Sequence, residues 1–213
     1  MSGIAGESPG ALSSDAMSDQ LIQAAADGDT ATVVALLEGG ADVDWQGDDG
    51  RTPVMAATVG NHVDTVRALI DAEANVDIRD ARLDNPFLYA GAEGLLDILR
   101  LTIEAGADPS LTNRYGGTAL IPASERGHVE VVRELLTNSD VDVDHVNNLG
   151  WTALLEAIVL SDGDERHQQV VQLLADHGAD ITIGDKDGVT PLEHARQRGF
   201  AEIERILLAA SAD

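Results

Sequence analysis

Short apolar segments with helical spacing alternate with polar segments rich in Gly, Asp and Asn from about residue 18 onwards. The residues Val131, Val132, Leu135 and Leu136, for example, fall on one face of a helix. Each apolar segment is short, and pairs of them are separated by a Gly or Asn that can reverse the chain. The pattern therefore predicts pairs of short helices, each pair followed by a polar loop.

The same pattern returns six times. A Thr, Asn or Asp opens each copy, which predicts a helix N-cap because its side-chain oxygen can accept a hydrogen bond from a backbone N–H. These residues stand at intervals of 33, 33, 33, 34 and 38 residues: Asp19, Thr52, Asn85, Thr118, Thr152 and Thr190. A period near 33 predicts one supersecondary unit repeated along the chain, with each copy stacked on its neighbours. One copy is unusual, because Pro122 falls inside its first helix and should kink that helix or end its first turn.

The register also predicts the domain organisation. Residues 1–14 are rich in Gly, Ser and Pro and predict a disordered leader. Residues 15–213 predict a single repeat domain with units near 15–47, 48–80, 81–113, 114–147, 148–185 and 186–213.

The repeated unit resembles the ankyrin repeat. The segments that carry the resemblance are Gly50-Arg51-Thr52-Pro53, Gly127-His128-Val129-Glu130-Val131-Val132 and Asp187-Gly188-Val189-Thr190-Pro191-Leu192. The resemblance implies an all-α solenoid of six stacked helix pairs with β-hairpin finger loops. The motif histidine three places after the Thr is missing, because other residues stand there: Met55, Leu88, Ile121, Leu155 and Glu193. Its absence predicts looser finger loops or compensation by other contacts.

Composition narrows the classes of partner. The formal net charge of −25 disfavours nucleic acid and anionic membranes as partners, because their phosphates would be repelled. The chain has no Cys, so disulfides, thiolate metal sites and cysteine nucleophiles are excluded. No signal peptide is indicated, and the cytoplasm is the expected compartment.

Candidate chemical sites fail their spacing tests. His62, His128 and His167 follow the chain reversers, where loop packing explains them, and no third ligand completes a zinc site. A calcium loop counted from Asp140 would need Gly and Glu at two positions that hold other residues. No nucleophile motif is present. We therefore expect no catalytic residue, no metal ligand, no cofactor and no enzymatic activity.

Candidate binding residues lie on the finger loops and the inner ends of the first helices, which the resemblance implies are free to contact a partner. Tyr115 and Trp151 are the strongest anchors by residue type, because exposed aromatic side chains bury much area on binding. Packing of Trp151 against the neighbouring finger is the alternative. The arginines fit either a strip that binds a partner's carboxylates or local neutralisation of Asp. The full set is Arg51, Arg82, Arg114, Tyr115, Arg126, Leu149, Trp151, Val159 and Leu160.

The fifth unit contains five extra residues, which fall between its helices around Ser161–Gln168. Such growth can be neutral or can provide a binding loop. The sequence favours a monomeric, non-enzymatic interaction module or scaffold that binds another protein through its finger loops and concave face. The alternative is a cation- or small-molecule-responsive regulator that uses the acidic fifth-unit loop.

Overall fold

The structure is a computed structural model that describes residues 13–211. The chain divides into two compact units, Met1–Ala74 and Asn75–Asp213. All elements of the described residues are helices: α1 (Ser14–Asp27), α2 (Thr30–Glu38), α3 (Pro53–Val59), α4 (Val63–Asp71), α5 (Pro86–Glu93), α6 (Leu96–Glu104), α7 (Leu120–Glu125), α8 (Val129–Asn138), α9 (Ala153–Val159), α10 (Glu165–Asp176), α11 (Pro191–Arg198) and α12 (Ala201–Ala210). The predicted leader lies outside the described residues except for Ser13, which is the N-cap of α1, and Ser14, which is its first residue. Within residues 13–211, no helix is long and apolar enough to cross a membrane.

The first unit contains two helix pairs, α1–α2 and α3–α4. The first helices α1 and α3 pack on each other, and so do the second helices α2 and α4. Leu21, Val33, Val54 and Leu69 are fully buried between these elements. Ala25, which is also fully buried, has a small side chain that lets the helices approach closely.

The second unit contains four helix pairs in the same arrangement. Helices α5, α7, α9 and α11 form one row, and α6, α8, α10 and α12 form the other, because each helix packs on the next in its row. The core between the rows is aliphatic, with a single large aromatic side chain, Phe87, fully buried. The predicted repeat of helix pairs is therefore confirmed.

Four of the six predicted N-caps are confirmed. The side chains of Thr52, Asn85, Thr152 and Thr190 each accept a hydrogen bond from the backbone N–H three residues later. The prediction for Asp19 is wrong, because this residue lies inside α1. Helix α1 begins earlier, where the Oγ of the preceding Ser accepts from the Ala16 N–H at 3.2 Å.

The prediction for Thr118 is also wrong, and Pro122 explains the difference. Helix α7 begins at Leu120, so it is short, and Ala119 occupies its N-cap position with no side-chain cap. The Thr118 hydroxyl is buried and has no hydrogen-bond partner. Because Pro122 has no N–H, the first turn of this helix lacks one donor, as the sequence predicts.

The finger loops, which we define as the loops between successive helix pairs, are held by compensating contacts where the motif histidine is missing. In the fourth loop, Asn147 Oδ1 accepts from the N–H groups of Leu149 and Trp151, at 2.9 and 3.1 Å. The equivalent side-chain oxygen makes the same pair of bonds in three other loops: Asp80, Asn113 and Asp185. In these four loops, one side chain thus closes the turn.

Candidate protein-binding surface

A groove in the second unit brings together side chains from two finger loops and two helices. We call it the Tyr115 groove, and its volume is about 390 Å³. Its apolar rim contains Tyr115, Leu149 and Leu160, which are 57%, 54% and 49% exposed. Because these side chains are large and solvent-accessible, the groove offers apolar area to a partner.

The two finger loops at this groove are bonded to each other. The Asn148 N–H donates to the Tyr115 carbonyl at 3.0 Å, and a ring nitrogen of His145 bonds the Gly116 carbonyl at 2.7 Å. These bonds fix the spacing between Tyr115 and Leu149. The rim of the groove is therefore held in place before any partner binds.

Arg114 and Tyr115 pair with each other on the rim of the groove. The Arg114 guanidinium lies 4.6 Å from the centre of the Tyr115 ring and donates to its hydroxyl at 2.9 Å. This arrangement combines a cation–π contact with a hydrogen bond and leaves the aromatic ring exposed. It joins two of the predicted anchors on one wall.

The floor of the groove carries a buried acid, Glu156 of α9, which is 5% exposed. Its Oε1 accepts from Asn147 Nδ2 at 2.6 Å. Burial, and after it the charge of Glu125, raise the pKa of Glu156 to about 7, although the Asn147 bond acts in the opposite direction. This carboxyl is therefore partly protonated near neutral pH.

The predicted arginine strip is mostly paired with the protein's own acids. Arg126 donates to Glu93 at 2.7 Å, and Arg82 lies 4.0 Å from Asp84. Arg51 lies 3.4 Å from Asp49 in the first unit. These distances favour local neutralisation over a strip that waits for a partner's carboxylates.

Four of the predicted binding residues do not line the Tyr115 groove: Arg51, Arg82, Trp151 and Val159. Trp151 is half-buried, and its backbone pairs with Asn147 to close the fourth finger loop. Val159 is also half-buried and lies at the end of α9, beside Leu160. The groove therefore contains five of the nine predicted residues by its lining: Arg114, Tyr115, Arg126, Leu149 and Leu160.

The extra residues of the fifth unit are bonded into the fold. Arg198 donates to the Ser161 carbonyl at 2.6 Å, and Gln168 donates to the Gly163 carbonyl at 2.8 Å. Asp164 caps α10 by accepting from the His167 N–H at 3.1 Å, and it contacts the ring Nδ1 at 2.5 Å. These bonds hold the pKa of Asp164 down at about 2.

Three predicted loop-packing histidines bond backbone carbonyls of the preceding helix pair. The ring nitrogens of His62 and His167 lie 3.0 and 2.9 Å from the carbonyls of Ala26 and Glu125. His128 bonds the Ala92 carbonyl, and burial lowers the pKa of its ring. In residues 13–211, no group of three or more His, Cys, Asp or Glu side chains could hold a metal ion.

Sequence reasoning missed the acidic floor of the groove. Glu156 interrupts an otherwise apolar helix of sequence ALLEAIV, and that interruption was the available signal. Its partner Asn147 was missed too, because the pattern showed a polar loop residue without showing where its amide points. Together these residues make the floor of the groove polar.

Comparison with known proteins identifies the repeat. The family of ankyrin repeats in three copies matches residues 21–113 and 87–185, which together cover most of the chain. The chain belongs to the ankyrin repeat family. Ankyrin repeats are general protein–protein interaction modules, and the family's domains are typically non-catalytic.

Individual relatives agree with this assignment. The Escherichia coli K12 ankyrin repeat protein YahD is 51% identical over 105 residues, or 49% of this chain and 52% of YahD. The match therefore spans about half the length of YahD. The crystal structure of an ankyrin repeat domain from Acinetobacter baumannii is 52% identical, with a TM-score of 0.88, over 90% of this chain and 97% of that one. The crystal structure of a second ankyrin repeat protein is 39% identical, with a TM-score of 0.86 and the same coverage.

Proposed function

We propose that this ankyrin repeat protein is a non-enzymatic scaffold that binds a partner protein over the Tyr115 groove. The observation that carries the proposal is the gathering of Tyr115, Leu149 and Leu160 around one groove of the second unit. Large apolar side chains that stay exposed together are characteristic of protein interfaces. The bonds between the two finger loops supply a surface that loses little conformational entropy on binding.

The expected mechanism is burial of these apolar side chains against complementary apolar residues of the partner. The Arg114–Tyr115 pair acts as an anchor, since its aromatic ring and guanidinium are already oriented. The strong negative charge elsewhere on the chain disfavours acidic proteins that would otherwise meet the same apolar rim.

A capture experiment tests this function. The intact chain, a Tyr115→Ala/Leu149→Ala double variant and a Leu208→Ala control are used as bait in lysate of the organism that encodes the chain. Leu208 is a matched control because it is an exposed leucine on α12, outside the groove lining. We expect a protein that is captured by the intact chain and by the control but lost with the double variant, measured by quantitative mass spectrometry. Equal capture by all three baits would contradict the proposal.

A further inference from the structure

Two carboxylates in the Tyr115 groove have no cationic partner. Glu156 forms part of the floor and Glu125 part of the wall, and no Arg, Lys or His side chain within residues 13–211 lies within 4.0 Å of either carboxylate. Glu156 has one hydrogen bond to its side chain, from Asn147 Nδ2. A buried carboxylate with so few donors is costly to ionise, because little replaces its hydration.

The positive groups of the groove are already engaged. Arg126 donates to Glu93 at 2.7 Å and to the Ala92 carbonyl at 2.6 Å. Arg114 stacks on Tyr115 and donates to its hydroxyl, and the negative charges that act on its guanidinium are those of Asp84 and Asp80, which lie outside the groove lining. The charge that remains uncompensated in the groove is therefore mainly negative, and the net charge of the whole chain is −25.

Apolar side chains line much of the groove beside this acidic floor. Ile121 and Pro122 lie along the groove, and Tyr115, Leu149 and Leu160 form its exposed rim. A side chain that reaches the floor from a partner must therefore carry its charge at the end of a long apolar stem. Arg and Lys are the two residues with that shape.

We propose that the Tyr115 groove receives an Arg or Lys side chain from a partner segment, whose flanking apolar residues pack on Tyr115, Leu149 and Leu160. The cation lies between the carboxylates of Glu125 and Glu156 and replaces their mutual repulsion with two favourable contacts. This inference rests on the proposed function and specifies the chemistry of the partner. An acidic segment would add a third negative charge to the same floor.

Binding of such a cation is linked to proton release. Because burial and the charge of Glu125 raise the pKa of Glu156 to about 7, this group carries a proton in part of the free protein near neutral pH. The other ionisable groups of the lining are Arg114, Tyr115 and Arg126. A partner cation favours the ionised form of Glu156, so affinity should rise as pH increases from 6 to 8.

A peptide selection tests the inference. A phage library of random dodecapeptides is panned against the intact chain, and the affinity of each enriched peptide is then measured for the intact chain, for a Glu125→Gln/Glu156→Gln variant and for the Tyr115→Ala/Leu149→Ala variant. We expect the selected peptides to carry an Arg or Lys with apolar neighbours. The synthetic consensus peptide should bind the double variant at least about tenfold more weakly, since losing the partners of a buried charge costs that much or more. Replacing its basic residue by Gln should weaken binding to the intact chain similarly.

Controls separate this inference from the proposed function. Glu130→Gln removes an exposed acid of α8 and should leave peptide affinity unchanged. The thermal unfolding of each variant, followed by circular dichroism, shows that it is folded. Selected peptides without a basic residue, peptides that bind the Gln variant equally, or a selection that enriches no peptide would each overturn the inference. Peptides that depend on Tyr115 and Leu149 but ignore both glutamates would overturn it while supporting the proposed function.

Discussion

The fifth-unit loop and the Tyr115 groove both carry carboxylates, but the protein treats them in opposite ways. Asp164 in the loop accepts from the His167 backbone and contacts its ring, and its pKa falls to about 2. Glu156 in the groove accepts one side-chain bond among apolar neighbours, and its pKa rises to about 7. The first acid is stabilised by its own chain and serves the fold. The second is costly to ionise in the folded protein, and the proposed partner cation would relieve that cost.

This comparison changes the interpretation of the two regions. Excess length and acidity made the fifth-unit loop a candidate binding site, yet the structure uses its residues to cap α10 and to contact α11. The loops that form the groove contain no long insertion of the kind that marks the fifth-unit loop. Its distinguishing property is a set of groups that the fold leaves incompletely paired, which is the property a binding site needs.

The largest loss of stability is expected from a substitution in the fifth-unit loop, and it shows whether this loop is structural. Gly163 has φ +67°, and a Cβ there would lie 2.7 Å from the Phe200 ring. Gly163→Ala should lower the free energy of unfolding by about 3 kcal/mol, from left-handed strain and the displaced ring. Gly178→Ala is the matched control, because its φ is +84° with no atom within 4 Å of the added Cβ, and it should cost about 1 kcal/mol. Urea unfolding measures the free energy of unfolding of both variants. Equal losses would contradict the view that the fifth-unit loop is packed into the fold.

The second prediction concerns the free energy that the buried carboxylate of Glu156 costs the folded protein. The pKa of Glu156 is about 7 in the folded protein, against an ordinary value of 4.5. A raised folded-state pKa contributes stability that is fully present below pH 4.5 and is lost as pH rises through 7. Between pH 5 and pH 8 the intact chain should therefore lose about 2–3 kcal/mol that Glu156→Gln does not lose.

Urea unfolding of both proteins across this pH range measures the difference. Glu130→Gln serves as the control, since that acid is exposed and should leave the pH dependence unchanged. If Glu156→Gln follows the same pH profile as the intact chain, Glu156 is not strained in the folded state, and the contrast with Asp164 disappears.

A smaller loss of stability is expected at Asp164, whose pKa is lowered by the fold and not raised by it. Asp164→Ala should lower the free energy of unfolding by about 1 kcal/mol at pH 7, because α10 loses its N-cap. The pKa of Asp164 is depressed to about 2, so its contribution is present above about pH 4 and is lost as pH falls through 2. The intact chain and the variant should therefore converge in acid. Asp162→Ala, an exposed neighbour, should change stability by less than about 0.5 kcal/mol.

The fold was largely predictable from the sequence because the repeat constrains it many times over. Thr52 and Thr190 could be assigned as caps from spacing alone, since local hydrogen bonding decides such positions. Asp19 was assigned wrongly because the repeat spacing compares only equivalent positions in successive units. The spacing carries no information about Ser13, six residues earlier, which already caps the helix.

The groove was less predictable, because its chemistry depends on residues far apart in sequence. Tyr115 and Leu149 were found by residue type and register. The pairing of Glu156 with Asn147, and the position of Glu125 across from them, depend on how α7, α9 and the fourth finger loop pack. A periodic pattern gives the face of each helix, but it gives no distance between two charges on different elements.

The smallest change in stability is expected at Leu149, which we compare with a buried leucine of the core. Leu149 is 54% exposed, so Leu149→Ala should change the free energy of unfolding by less than about 0.5 kcal/mol. Leu155→Ala, at a fully buried leucine of the neighbouring helix α9, should cost about 3 kcal/mol. Urea unfolding of the two variants compares these costs. If Leu149→Ala cost more than about 1 kcal/mol, its side chain would help to hold the finger loop. The apolar rim would then belong to the fold, as the fifth-unit loop does, rather than to a partner.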